Sequence, residues 1–226
     1  QNLYYSLNQT SGSSIKMLDS LTVNDDLTYD YIFANPPFGI KGLKYKDMCE
    51  ANFTAIAGLE KLKIIVDCAH GSNYKVATSI LKSFGLQVEQ IGCQPTGYNI
   101  NLSVGSTNPN RLRAAVIDSQ AAIGVGFDGD GDRLVMIDER GEVLDGDDIL
   151  FVLANYYLSS NRKVGGVVGT SMTNLGLERS IGELGLGFER VGVGDRFVME
   201  KLNGRGWALG GETSGHVICR DIAATG

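Results

Sequence analysis

The stretch Gly124–Asp148, GVGFDGDGDRLVMIDERGEVLDGDD, decides how this chain is read. An apolar run (Ile123, Val125, Phe127) enters Asp128-Gly129-Asp130-Gly131-Asp132-Arg133, and a second run (Leu134, Val135, Met136, Ile137) leaves it. These flanks predict two strands joined by a tight acidic connection. Three carboxylates held that close in a partly dry site repel one another, so each resists ionisation. A divalent cation removes the conflict, and a donor set made only of oxygen favours a hard ion such as Mg²⁺. The two glycines allow a sharp turn and leave room for a ligand. An ordinary acidic hairpin turn accounts for one Asp-Gly pair, but poorly for three aspartates at alternate positions between buried runs. An EF-hand loop would use Asp128, Asp130, Asp132 and Glu139, yet it puts Arg133 where that loop needs glycine and strand-like runs where it needs helices.

Around this loop lie 226 residues, enough for one large or two modest domains with cores of their own. The 30 glycines, about twice the usual share, suit many tight turns. A net charge of −6 argues against a broad nucleic-acid-binding face. No apolar run approaches a membrane span and no signal peptide opens the chain, so a cytoplasmic location without a membrane partner is expected. Cys49, Cys68, Cys93 and Cys219 have no Cys-x-x-Cys spacing and only His70 and His216 to join them, which argues against zinc and for reduced thiols.

Before the loop, strands and helices alternate. Lys63–Cys68 reads as a strand buried on both faces. Gly71-Ser72-Asn73 leads to a helix carrying Val76, Ile80, Leu81 and Phe84, with Gly85 at its C-terminus. Val88–Cys93 is the next strand, and Asn108 or Asn110 is expected to cap a helix carrying Leu112, Val116 and Ile117. This order implies right-handed crossovers and a mainly parallel sheet with helices on both faces, and a ligand site at the carboxyl ends of the strands, where the acidic loop lies. Asp145-Gly146-Asp147-Asp148 precedes the apolar helix Ile149–Leu158, and capping plus the helix dipole accounts for those acids. A second unit begins near Ser160. It has a strand at Val164–Gly169, a cap within Thr170–Asn174, a helix with Leu175, Leu177, Ile181 and Leu184, and a strand at Phe188–Val193. Asp195 is expected to cap a helix with Phe197, Val198 and Leu202 that Gly204 closes. Glu212, Ser214 and His216 then alternate around a glycine. A carboxylate beside a hydroxyl can grip vicinal sugar hydroxyls, though the same residues also make a polar hairpin turn. Arg196, after Gly194 and Asp195, offers a fork of donors suited to phosphate. The expected class is α/β: two consecutive α/β/α units with mainly parallel sheets, at residues 55–159 and 160–226, preceded by a short irregular N-terminal segment, 1–54.

Two resemblances follow. Asp30-Tyr31-Ile32-Phe33-Ala34-Asn35-Pro36-Pro37-Phe38-Gly39 resembles the catalytic motif of N6-adenine DNA methyltransferases, in which the Asn side chain and a proline carbonyl hold the target amino group of a flipped base. The glycine-rich S-adenosylmethionine loop of that family has no counterpart before Tyr31. No methyltransferase activity and no nucleic-acid partner are therefore expected from Asn35-Pro36-Pro37-Phe38.

From about Leu59 onward the chain resembles the second domain and most of the third domain of the α-D-phosphohexomutases. Phe127–Arg133 matches that superfamily's magnesium loop, and Gly211–His216 its sugar-binding loop, with Thr213 where Asn is more usual. Asp67–Gly71, Gly97–Asn101 and Val193–Phe197 most resemble the phosphoglucosamine mutase branch, with His70 where Asn is usual. The resemblance implies that Asp128, Asp130 and Asp132 bind Mg²⁺ and that Arg133 helps place the reacting phosphate. It also implies that Glu212, Ser214 and His216 hold the sugar, and that Gly194, Asp195 and Arg196 line the same cleft. The implied substrate is a hexosamine phosphate: glucosamine 6-phosphate and glucosamine 1-phosphate interconvert through a phosphoserine and a 1,6-bisphosphate, with phosphomannomutase or phosphoglucomutase chemistry as the alternative. No Ser-His-Asn-Pro type loop bears a phosphoserine here, and the chain stops at Gly226 before a fourth, phosphate-binding domain. No mutase turnover is therefore expected from this chain alone.

Overall fold

Ile64, Ile65 and Val66 carry apolar side chains to both faces of one short strand, which only burial between two helical layers satisfies. In the computed structural model, which describes residues 59–222, that strand is β1 (Lys63–Asp67). The segment with Asn35-Pro36-Pro37-Phe38 lies outside the described residues. β1 pairs in parallel with β2 (Gln87–Ile91) on one side and β3 (Ile123–Phe127) on the other. β4 (Leu134–Asp138) and β5 (Val143–Leu144) extend the sheet antiparallel, in the order β2-β1-β3-β4-β5. Helix α1 (Val76–Ser83) lays Ala77 and Leu81 against Ile64, Val66 and Cys68. Helix α2 (Asn110–Ser119) sets Leu112 and Val116 against Ile65 and Ile137 on the opposite face.

The second sheet runs β7-β6-β8-β9. β6 (Gly166–Thr170) is buried along its whole length and pairs in parallel with β7 (Gly187–Val191) and β8 (Leu209–Gly211). β9 (Val217–Cys219) closes the edge antiparallel to β8. Three helices cover this sheet: α3 (Gly146–Ser159), α4 (Leu175–Glu183) and α5 (Asp195–Arg205). Leu150, Ala154 and Tyr157 of α3 join Leu177 and Ile181 of α4 over Val167 and Leu209, while Val198 and Leu202 of α5 pack on Val168 and Ile218.

The core of α3 is therefore that of the second sheet, although the sequence pattern groups this helix with the first unit. Ser159-Ser160-Asn161, which reads like a break between units, falls at the end of α3. The passage between the two sheets comes earlier, at Leu144-Asp145, where a strand runs straight into a helix cap without linker composition.

The caps are mixed. The Asp145 side chain accepts from the amides of Asp147 and Asp148, and Asp148 reaches back to the Asp145 amide, a complete capping box. Asn174 caps α4 through the Leu177 amide at 2.7 Å. Neither Asn108 nor Asn110 caps α2: Pro109 holds that position and no side chain bonds there. Gly194 rather than Asp195 precedes α5, with φ 130°, and the helix runs past Gly204 to end at Gly206 in the left-handed region. A backbone at such angles strains any residue with a side chain, so glycine takes both ends.

Candidate functional site

The acidic loop winds around its first carboxylate. Asp128 follows β3 directly, is 1% exposed, and accepts from the amides of Gly131 (3.1 Å) and Arg133 (3.2 Å) through Oδ1. The loop is also held from the β1 side. The Ser72 amide donates to the Gly129 carbonyl at 2.8 Å, and the Ser72 hydroxyl to the Asp130 carbonyl at 3.0 Å. Gly71 must lack a side chain, because a Cβ there would meet the Gly129 carbonyl oxygen at 2.2 Å. Asp67, fully buried, anchors this cradle by accepting from the amides of Ala69 (2.9 Å) and Gly105 (2.8 Å).

One carboxylate oxygen from each of Asp128, Asp130 and Asp132 lies within 4.8 Å of the others. Burial, followed by the charges of Asp132 and Asp130, pushes the Asp128 carboxyl above the ordinary value against the pull of the Arg133 amide. Burial acts the same way on Asp132, but Arg133, a hydrogen bond with Asp128 and His216 outweigh it and hold that carboxyl low. Arg133 offsets part of the charge, with Nε 3.0 Å from Asp128 Oδ2 and 3.4 Å from Asp132 Oδ1. A hard divalent cation fits this donor set: oxygen donors only, converging, with more negative charge than one guanidinium neutralises.

The second cluster is the turn between β8 and β9. Glu212 and His216 close it, with the Glu212 amide donating to the His216 carbonyl (2.9 Å) and the Gly215 amide to the Glu212 carbonyl (3.0 Å). The Gly194 amide donates to Glu212 Oε1 at 2.7 Å, and the Ser214 hydroxyl to Oε2 at 3.3 Å. Glu212 is thereby fixed with Ser214 beside its second oxygen.

The turn sits against the acidic loop. His216 Nδ1 lies 3.6 Å from Asp132 Oδ2, and the Leu134 amide, just past the loop, donates to the Gly215 carbonyl at 3.1 Å. The structure thus brings together Asp128, Asp130, Asp132, Arg133, Glu212, Ser214, His216 and Gly194. The Arg196 side chain is 83% exposed and pairs with Glu200, one turn along α5, at 2.9 Å. Asp195 Oδ1 accepts from the Arg196 amide at 2.7 Å. Asp67, Ser72, Asp147 and Thr213, which bond to the loop or the turn or to the segments beside them, were not among the candidate site residues read from the sequence. Asp67 showed there as an acid ending an apolar run, and Thr213 as the one departure within the Gly211–His216 motif.

Domain profiles, curated relatives and solved structures all match this chain. The family profile for phosphoglucomutase/phosphomannomutase alpha/beta/alpha domain II matches residues 44–141, and that for domain III matches residues 145–226. The chain is 50% identical over 183 residues to a phosphoglucosamine mutase of Aeromonas hydrophila, covering 81% of this chain and 41% of that protein. It is 49% identical to the phosphoglucosamine mutase of Methylobacillus flagellatus, over 81% of this chain and 40% of that one. It thus spans about two fifths of the length of these relatives. A phosphoglucomutase/phosphomannomutase family protein from Burkholderia thailandensis superposes with TM-score 0.70 at 26% identity, over 80% of this chain and 39% of that one. An N-acetylphosphoglucosamine mutase from Aspergillus fumigatus, solved with GlcNAc-6P and magnesium, shares the fold with TM-score 0.54 at 20% identity, over 76% and 37%. Among the described residues no helix is long and apolar enough to cross a membrane. With two successive domain profiles matched and relatives at half identity over most of its length, the chain belongs to the phosphoglucomutase/phosphomannomutase family of phosphohexomutases.

Proposed function

We propose that this chain supplies the metal loop and the sugar turn of a phosphoglucosamine mutase, which interconverts glucosamine 6-phosphate and glucosamine 1-phosphate. The observation that carries the reading is the contact between the two clusters: His216 Nδ1 is 3.6 Å from Asp132 Oδ2. A sugar gripped by the turn therefore presents its phosphate beside the aspartate trio.

Each residue has a defined task. Mg²⁺ held by Asp128, Asp130 and Asp132 would offset negative charge on the transferring phosphoryl group. Glu212 accepts hydrogen bonds from sugar hydroxyls, and Ser214 both donates and accepts, so the ring is held without regard to which end carries phosphate. Arg133, on the rim of the trio, places the reacting phosphate and keeps its charge at all working pH values. His216 keeps turn and loop in register. In the family that the sequence resembles, the phosphoryl donor is a phosphoserine on the first domain, outside the two domains matched here. Its phosphoryl group passes to the free hydroxyl of the sugar phosphate, giving a 1,6-bisphosphate; after the sugar reorients, its other phosphate returns to the serine. The domains meet, on this reading, at Leu144-Asp145, so that α3 belongs with the sugar turn.

Titration calorimetry with Mg²⁺ present tests the substrate class. Glucosamine 6-phosphate should bind more tightly than glucose 6-phosphate or mannose 6-phosphate. Equal or stronger binding of either hexose phosphate would contradict the amino-sugar assignment, and binding of none would contradict the sugar turn.

A further inference from the structure

Four residues, Asp145-Gly146-Asp147-Asp148, open α3, and capping explains only part of them. Asp145 and Asp148 satisfy each other's backbone amides in the capping box. Gly146 lets the chain pass close to the turn, since a Cβ there would meet the Glu212 carbonyl oxygen at 2.0 Å. Asp147 takes no part in the cap through its side chain, and that side chain is buried, 1% exposed. An acid needed only for the helix dipole could remain in water, as Asp148 does.

The Asp147 carboxylate reaches three groups on two other segments. Oδ2 accepts from the Asn174 amide (2.8 Å), the Asn174 side-chain amide (2.9 Å) and the Thr213 hydroxyl (3.1 Å). Asn174 caps α4, and Thr213 stands between Glu212 and Ser214. The Thr213 carbonyl also accepts from the Gly146 amide at 3.1 Å, so the turn is held at main chain and side chain by adjacent residues. Asp147 Oδ1 is buried beside these bonds and has no hydrogen-bonding partner among the described protein groups.

We propose that Asp147 is a positioning residue for the sugar turn. It fixes the Thr213 hydroxyl, and through it the Glu212–His216 turn, against the start of α3, so that Glu212 and Ser214 hold their orientation before the sugar phosphate arrives. The proposal rests on the reading of that turn as the sugar-binding element. Asp147 itself touches neither sugar nor phosphate. It links the turn to the α4 cap, so the two segments share one anchor.

Three variants test this: Asp147→Ala, Asp147→Asn and Thr213→Val, each compared with the unaltered chain by amide hydrogen exchange and by calorimetry with glucosamine 6-phosphate and Mg²⁺. T213V cuts the link from the turn side only. It should speed exchange across 212–216 about tenfold and leave 174–177 within about twofold, as expected for local opening of one anchored segment. It should weaken glucosamine 6-phosphate about tenfold, the equivalent of one hydrogen bond, while Mg²⁺ affinity stays within about twofold. D147A should loosen both segments. D147N keeps an oxygen for the Thr213 hydroxyl and should restore most of the protection at 212–216. Unchanged exchange at 212–216 in T213V overturns the proposal, as does a D147N turn that exchanges as fast as one lacking the carboxylate. If D147A does not fold, T213V and D147N still decide. If the unaltered chain binds no sugar phosphate, the functional reading falls, while the exchange comparison still decides whether Asp147 holds the turn.

Discussion

Asp130 is the member of the aspartate trio that the fold needs least. Asp128 anchors the loop through two backbone amides and Asp132 meets Arg133 and His216, whereas the described contacts of Asp130 run through its main-chain carbonyl to Ser72. Asp130→Asn should therefore fold as the unaltered chain does, with the same circular dichroism and thermal midpoint, and bind Mg²⁺ at least about tenfold more weakly by calorimetry. Undiminished Mg²⁺ binding would remove Asp130 from the ligand set. Asp147 gives a second prediction, in pH. Burial holds its carboxyl above the ordinary value of 3.8. Its contribution to stability is fully present below that value and is lost as pH rises through the folded-state value, where an ionised group must stay buried. The thermal midpoint of D147N relative to the unaltered chain should accordingly rise between acid and neutral pH. A difference that stays flat would mean that Asp147 is not penalised by burial. The convergence of the trio was legible in the sequence because acids at alternate positions on a tight connection between two apolar runs are held close together. Asp147 was not, because a buried acid and a capping acid look alike at the first turn of a helix. Arg196 was legible as a phosphate fork, but its partner in the structure is Glu200, an i,i+4 neighbour of the kind that a helix always offers.

At the scale of elements, alternation of strand and helix was readable, since buried strands and amphipathic helices differ in period. Ends were less so. Pro109 took the position that Asn108 or Asn110 could have filled, and Gly194 the one that Asp195 could have filled, because backbone geometry decided among adjacent candidates. The assignment of α3 to a unit also depended on packing that sequence spacing does not reveal: its buried face, Leu150, Ala154 and Tyr157, is complementary to the second sheet. The cap of α3 matters beyond its own helix, because it sits where the chain passes from one sheet to the other. Asp145→Ala removes the acceptor for two amides and should cost about 1 kcal/mol, measured as a lowered urea midpoint at unchanged slope. A midpoint equal to that of the unaltered chain would mean that the Asp148 side chain and solvent replace the cap.

At the scale of the whole molecule, the two sheets meet through the turn. The Leu134 amide bonds to the Gly215 carbonyl, and His216 Nδ1 lies 3.6 Å from Asp132 Oδ2. Gly215, with φ 94°, lies so near the Leu134 carbonyl that a Cβ would meet it at 1.9 Å. Units joined this closely should unfold together, in one calorimetric transition whose midpoint rises with Mg²⁺, by about 2.7 kcal/mol of stability at a hundredfold excess over the dissociation constant. Two resolved transitions, with Mg²⁺ moving only one, would show that the loop and the turn are not coupled. Metal capture beside the Glu212–His216 turn is tested most directly by anomalous diffraction from crystals of this protein saturated with Mn²⁺, a surrogate for Mg²⁺. One strong peak is expected, within bonding distance of a carboxylate oxygen of each of Asp128, Asp130 and Asp132 and on the side of the loop that faces Glu212. Saturated crystals with no peak at the trio, or with Mn²⁺ bound only elsewhere, would contradict it.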